Sequence, residues 1–306
     1  MKKLLTFLAV LTATLLWAEP MDWSKAEIIR SGFRYLRIDK TFDDEKFEGG
    51  KRLLKGAIIR VDLKAKGLKF TGTPRAPKEL WGKPMPDHKP PNGRSPDIIR
   101  TERQTTPNFL KQCRKPKNEG GRGLNMIVAV NSTPWTPWEA PYTFKYANPP
   151  GLDISDGVIV VDNPNQYPAL FVVWKDGHVS IEDKIPAEKR GQIWLCHTGF
   201  AIWLKDGKPV PGDGARHPRT AYGISQNGRY LYILALDGRQ NGWSNGANAQ
   251  EVTEIMQDAG AWDAINMDGG GSTTLCYWNE KENSVSVLTK LKYFRPTGMN
   301  IGIYIK

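Results

Sequence analysis

The chain has 306 residues, 43 of them Lys or Arg against 32 Asp or Glu, a formal net charge of +11 at neutral pH. That balance favours anionic partners, and with none of the recognised nucleic-acid motifs in the chain the expected partner is an anionic envelope polymer and not nucleic acid. Forty per cent hydrophobic residues, with 11 tryptophans, suffice for a sizeable core, and the length admits one large domain or two small ones.

Met1-Lys2-Lys3, the apolar run from Leu4 to Trp17 and the small residue Ala18 have the charged start, short hydrophobic middle and cleavage residue of a secretory leader, residues 1–18. The run is shorter than the ~20 residues a bilayer span requires. No cysteine follows Ala18 to carry a lipid anchor, so the expected product is an exported protein, periplasmic or extracellular, without a stable membrane span. Its three cysteines, Cys113, Cys196 and Cys276, lack C-x-x-C spacing and do not look like a zinc site; buried free thiols are favoured over one disulfide with a thiol left over.

Residues 28–71 form a strand-rich opening. Phe33-Arg34-Tyr35-Leu36-Arg37-Ile38 alternates apolar with polar residues, Ile59, Val61 and Leu63 do the same, and a charged hairpin or loop lies at 40–51. Residues 72–96 are dense in proline, glycine and lysine and predict a long surface loop with too little apolar content for a core. Helical character follows at 101–114, with Asn108, Leu110 and Cys113 on one side. The site-bearing part, 124–306, begins with a buried strand over 126–131, ended by Asn131. Asp-Gly pairs at Asp156-Gly157, Asp176-Gly177 and Asp206-Gly207 mark turns between short strands and not catalytic acids.

The clearest helix spans 248–259. Asn248 and Glu251 form a capping pair, Val252, Ile255, Met256 and Ala259 one apolar face, and Gly260 ends it. It leads to a short buried strand over 264–267 and then Asp268-Gly269-Gly270-Gly271-Ser272-Thr273. There a carboxylate stands at a strand end beside bare backbone N–H groups, with two hydroxyls at the rim. Upstream, Arg219 and Arg239 each adjoin turn residues, where a planar fork of donors could grip a phosphate or carboxylate. A closing strand is expected over 293–305. Many short strands with turns between them, few helices and no internal repeat predict a single α+β domain on a mixed or antiparallel sheet, residues 19–306, and make a doubly wound sheet improbable.

The order His217-Pro218-Arg219-Thr220-Ala221, then Asp237-Gly238-Arg239-Gln240 with Ser244 and Gly246, then a helix, then Asn266 to Thr274, resembles the phosphodiester glycosidase family. The match is loose over 28–305 and specific over 217–274. It departs where Asn131 is followed by Ser132-Thr133-Pro134-Trp135 instead of glycine and phenylalanine. The resemblance implies a pocket reached by Asn131, lined near His197 to Phe200, and closed by Arg295 and Asn300, with Trp135 or Trp138 as a sugar-stacking platform.

It also implies hydrolysis of the glycosidic C1–O bond of a sugar-1-phosphate diester on a glycan. Asp268 is then the catalytic carboxylate, as nucleophile or base, and Asp237 its partner or the residue that positions an arginine. Arg219 and Arg239 clamp the phosphate, with Thr220, Gly269, Gly270, Gly271, Ser272, Thr273, Asn131, Arg295 and Asn300 binding substrate. No cofactor is required, although two close carboxylates could hold Ca²⁺ or Mg²⁺. The alternatives are a non-catalytic glycan-binding or anionic-polymer-binding envelope protein and a P–O-cleaving phosphodiesterase. Four scattered histidines argue against the two-metal cluster that the last would need.

Overall fold

A computed structural model describes residues 20–90, 94–138, 143–163, 166–290 and 292–306; the expected leader, 1–18, lies outside them. The main sheet has eight strands, in spatial order Glu27–Arg30, Phe33–Asp43, Lys51–Asp62, Tyr230–Leu236, Arg219–Ile224, Asp263–Asn266, Ala201–Lys205 and Lys208–Pro209. Adjacent side chains along a strand point to opposite faces, and here both faces are covered. Tyr222, Ile224, Leu231, Ile233, Ile59 and Val61 enter one core, and Ala221, Tyr232, Leu234, Leu236, Ile58 and Leu54 enter another against the helix Ala249–Ala259. That double burial is why Tyr230–Leu236 is a continuous apolar run.

Two five-stranded sheets complete the first core. One runs Ser284–Val287, Leu275–Asn279, Asn125–Asn131, Asn300–Ile305, Leu68–Gly72, and the other Val179–Glu182, Ala169–Trp174, Ile193–Gly199, Gly151–Ser155, Val158–Asn163. Phe70, Ile127, Ile301, Phe171 and Leu195 carry them onto the main sheet, where Phe171 meets Tyr222 edge-on at 5.1 Å. The strand pairs among the described residues are antiparallel, so the α+β reading with few helices holds.

Several elements differ in detail from the sequence expectation. The charged stretch is a long hairpin whose strands continue to Asp43 and resume at Lys51. The early helix is Thr106–Arg114 and buries Phe109 with Leu110 and Cys113, while Asn108 faces solvent, because a 3.6-residue period sets Phe109 on the apolar stripe. The final strand is only Asn300–Ile305. The proline-rich segment does bury apolar groups: Ala76 and Met85 pack with Ile99, with Leu80 and Trp81 against them, and Arg75 and Arg100 lie over the Trp81 ring. All three cysteines are free and buried.

Candidate active site

The strand Asp263–Asn266 delivers Met267 and Asp268 to the end of the main sheet beside the strand Asn125–Asn131. There one fully buried side chain fixes the turn. Asn131 Nδ2 donates to the Asp268 carbonyl (2.6 Å), while its Oδ1 accepts from the Thr220 hydroxyl and the Thr274 amide (2.9 Å each). The Tyr222 hydroxyl donates to the Asn131 carbonyl at 2.6 Å. The Asp268 amide donates to the Ser132 carbonyl, and the Met267 and Gly270 amides donate to the carbonyls of Thr220 and Pro218, all at 2.9 Å. Asn131 and Thr220 are thus saturated by protein partners and hold the loop; they are not free to bind substrate.

The loop is anchored through its backbone, which leaves the Asp268 carboxyl out of that anchoring. Burial is the largest influence on that carboxyl and raises its pKa to about 7, against the opposing pull of the Ser272 hydroxyl, the Arg295 charge, the Gly269 amide and the Trp135 indole. Asp268 keeps some exposure as a residue, yet its Oδ2 is enclosed and has no hydrogen-bond partner. A buried carboxyl oxygen without a partner is rare and marks a place where a reacting group or a substrate donor belongs. The Thr273 hydroxyl, buried on the same loop, also has none.

Two guanidinium groups flank the loop's bare backbone. A Cβ on Gly271 would stand 2.6 Å from the Arg295 Cζ, and one on Gly270, which sits at φ +60°, would stand 3.3 Å from an Arg239 Nη. Glycine at these positions therefore admits both arginines to the loop. Arg239 is exposed, itself left-handed at φ +56°, and its Nη2 donates to His217 Nδ1 at 2.9 Å. Burial and then the charges of Arg239 and Arg219 push the His217 pKa down, which keeps its ring neutral and able to accept. Next to Arg295 in sequence, Tyr293 and Phe294 are exposed.

Three expected site residues have their side chains engaged by protein partners. The Arg219 guanidinium turns away from Asp268: its Nε donates to the Ala247 carbonyl (3.0 Å), its Nη2 to Asp213 Oδ1 and the Ala215 carbonyl (2.6 Å each), and it lies over the Trp203 ring. It is buried and committed, and does not clamp a phosphate beside Asp268. Asp237 is a loop anchor and not a second catalytic carboxylate. Its Oδ2 accepts from Trp243 Nε1 (2.8 Å) and its Oδ1 from the Lys290 amide (3.0 Å), while burial raises its pKa. The cations acting on it are Arg37 and Lys290, and the one acting on Asp268 is Arg295. Asn300, fully buried, accepts from Thr106 and Thr297 and donates to the Gln104 carbonyl.

Among the described residues no group of three or more His, Cys, Asp or Glu could hold a metal ion. Trp135 is 5% exposed and roofed by the Arg103 guanidinium at 4.2 Å, so it supports Asp268 and offers no open sugar platform, whereas Trp138 is exposed. Ser132 and His197 form a buried pair (Oγ to Nδ1, 2.5 Å) behind the loop, and burial lowers the His197 pKa to about 3, so its ring is neutral. Ser132 could have been found only as the residue following Asn131, with no signal of its own.

A family model described as phosphodiester glycosidase matches residues 125–304. The SPbeta prophage-derived uncharacterized protein YomE of Bacillus subtilis (strain 168) is 26% identical over 178 residues, which are 52% of this chain and 26% of that protein, so the match spans about a quarter of the relative's length. Among solved structures, the catalytic domain of zebrafish N-acetylglucosamine-1-phosphodiester alpha-N-acetylglucosaminidase, auto-inhibited by its pro-peptide, superposes with a TM-score of 0.59 at 19% identity, over 92% of this chain and 87% of that one. A candidate exported protein from Burkholderia pseudomallei K96243 gives a TM-score of 0.51 at 13% identity, over 82% and 74% of the two chains. At these identities the structural matches establish the fold alone.

Proposed function

The chain belongs to the phosphodiester glycosidase family, and from that premise we propose that it is an exported hydrolase that breaks the glycosidic C1–O bond of a sugar-1-phosphate diester on an envelope or extracellular glycan. The observation that carries the reading is Asp268: an enclosed carboxyl oxygen without a partner, on a loop of bare backbone between Arg295 and Arg239.

The two arginines suit a bound phosphodiester as paired planar donors. The departing phosphomonoester, whose second pKa is about 6, needs little proton help, so no strong general acid is required. What remains is to activate water at C1. A carboxyl titrating near 7 is a competent base at neutral pH, and no other carboxylate is among the groups that act on it. Asp268 therefore takes a proton from the attacking water, the C1–O bond breaks with its electron pair leaving on the phosphate oxygen, and the anomeric configuration inverts. Arg295 and Arg239 stabilise the charge gathering on the phosphate. Tyr293, exposed beside Arg295, is positioned to carry the sugar face.

The test is hydrolysis of a panel of alkyl sugar-1-phosphates and nucleoside diphosphate sugars in ¹⁸O water by the mature chain, with Asp268→Asn in parallel. Label in the sugar, lost in the variant, supports the proposal. Label in the phosphate would make the protein a P–O-cleaving phosphodiesterase, and no turnover across the panel would leave the glycan-binding reading.

A further inference from the structure

A wide open cleft lies apart from Asp268. It encloses about 1380 Å³ between the strands Leu68–Gly72 and Asn300–Ile305, the Gly121–Asn125 segment and the Asp176-Gly177 hairpin turn. Asn300 pairs with Asn131 beside the Asp268 loop, and Tyr304, four residues on, lines the cleft; at ~3.3 Å per residue the separation is about 13 Å. It shares no lining residue with the Asp268 cluster.

Its chemistry is one-sided. Lys69, Lys117, Lys175 and Lys306 line it against a single carboxylate, Asp176, and Arg122 on its wall is already paired with Asp156 at 2.6 Å. Between the lysines stand half-buried aromatic rings. Trp194 is pinned by its indole N–H to the Phe70 carbonyl (2.7 Å), which holds the ring in place, and Tyr304 lies alongside. Rigid aromatic faces with a polar edge, interleaved with cations, suit a ligand that alternates sugar rings with anions.

Its shape argues for a long ligand. The volume exceeds the 300–1,000 Å³ typical of small-molecule sites. A second recess of about 550 Å³, lined by Arg114 and Pro116, continues from it and shares Lys117 and the 123–125 wall.

We propose that this groove is a separate retention site for a polymeric phosphodiester-linked glycan, so that the substrate of the Asp268 centre is a chain and not a small diester. The proposal rests on the functional reading above for the chemistry of the polymer. A site that holds the polymer raises the local concentration of its linkages at the catalytic loop without any new contact there.

The experiment uses the full mature chain carrying Asp268→Asn, so that binding is read without turnover, and a fluorescently labelled hexosyl-phosphate polymer, with neutral dextran, a polyuronate and a single-stranded oligonucleotide as comparators. Lys69→Glu, Lys117→Glu and Lys175→Glu are introduced together; all three side chains are exposed, and because Lys175 Nζ donates to the Gly191 carbonyl (2.6 Å), thermal unfolding of the triple variant is measured beside binding. The expected result is an affinity for the sugar-phosphate polymer that falls about tenfold or more in the triple variant and weakens with salt. In the Asp268 background, kcat/KM for a small sugar-1-phosphate diester stays unchanged by the same three substitutions. Equal polymer affinity with and without them overturns the groove while leaving the catalytic reading intact. A polyuronate or oligonucleotide that binds as tightly as the sugar-phosphate polymer overturns the assignment to a phosphodiester glycan. A triple variant that loses the polymer although no diester is ever hydrolysed by the parent keeps the groove and removes the catalytic reading.

Discussion

Asp268→Asn should make the protein more stable while abolishing its proposed activity, and the gain should depend on pH. Burial is the main cause that raises the native carboxyl from the ordinary 3.8 to about 7. Between those two values the native state holds a proton that the unfolded chain has released, so stability falls as pH rises across that window and the loss is complete above the native pKa. About 3 pKa units at 1.36 kcal/mol each make the charged carboxylate cost about 4 kcal/mol above pH 7. Asparagine mimics the protonated form, keeps the shape, and avoids that cost. In a domain of this size the difference corresponds to a rise in Tm of roughly 5–10 °C at pH 8. Thermal and denaturant unfolding of both proteins at pH 4, 6 and 8 would measure it. A difference that grows from near zero at pH 4 supports the reasoning. A variant less stable than the parent at pH 8, or a difference independent of pH, would refute the claim that burial of Asp268 is uncompensated.

Turnover should show the same titration from the other side. If Asp268 is the base, kcat/KM for a sugar-1-phosphate diester falls tenfold per pH unit below about 7, and a profile flat from pH 5 to 8 would remove it from that role. Arg295→Lys keeps the charge and loses the fork, so KM for the diester should rise about tenfold or more with little loss of stability. Arg219→Lys should do the reverse, because it strips buried bonds to Asp213, Ala215 and Ala247: a loss of about 2–4 kcal/mol in denaturant unfolding, with the KM of the folded fraction unchanged. Asn131→Ala leaves the Thr220 hydroxyl, the Thr274 amide and the Asp268 carbonyl without their buried partner, at about 1–3 kcal/mol each, so a loss of 3 kcal/mol or more is expected; under 1 kcal/mol would mean the loop is held by other means.

How far the sequence disclosed the site follows from the range of the interactions involved. The helix Ala249–Ala259 was legible because its signals are local: both hydrogen bonds of the Asn248 and Glu251 capping box form, and Gly260 closes it at φ +101°. The placing of Asp268 at a strand end was legible for the same reason. Arg219 was not, since neighbours on a strand face opposite ways and the sequence does not say which face holds the cleft: Thr220 turns to Asn131, and Arg219 turns to Trp203 and Ala247. Asp237 was expected as the partner of Asp268 or as the residue that positions an arginine. Its partners are Trp243, six residues on, and Lys290, fifty-three residues on, and only the fold brings the second of these to it.

The same contrast explains why the loop tolerates its carboxylate. Every strong contact that orders the Asp268 turn goes to backbone atoms, from Asn131, Ser132, Thr220 and Pro218, and these groups are satisfied whether the carboxyl is charged or neutral. Holding the loop is thereby separated from holding the charge. The electrostatic cost falls on one enclosed oxygen without a partner, and Arg295, which moderates it, approaches through Gly271, which leaves room for it. Both Asp237 oxygens are held, by Trp243 and the Lys290 amide, whereas Asp268 keeps Oδ2 without a partner. One acid holds a loop and the other is held by one, and of the two it is Asp268 that keeps an oxygen without a partner.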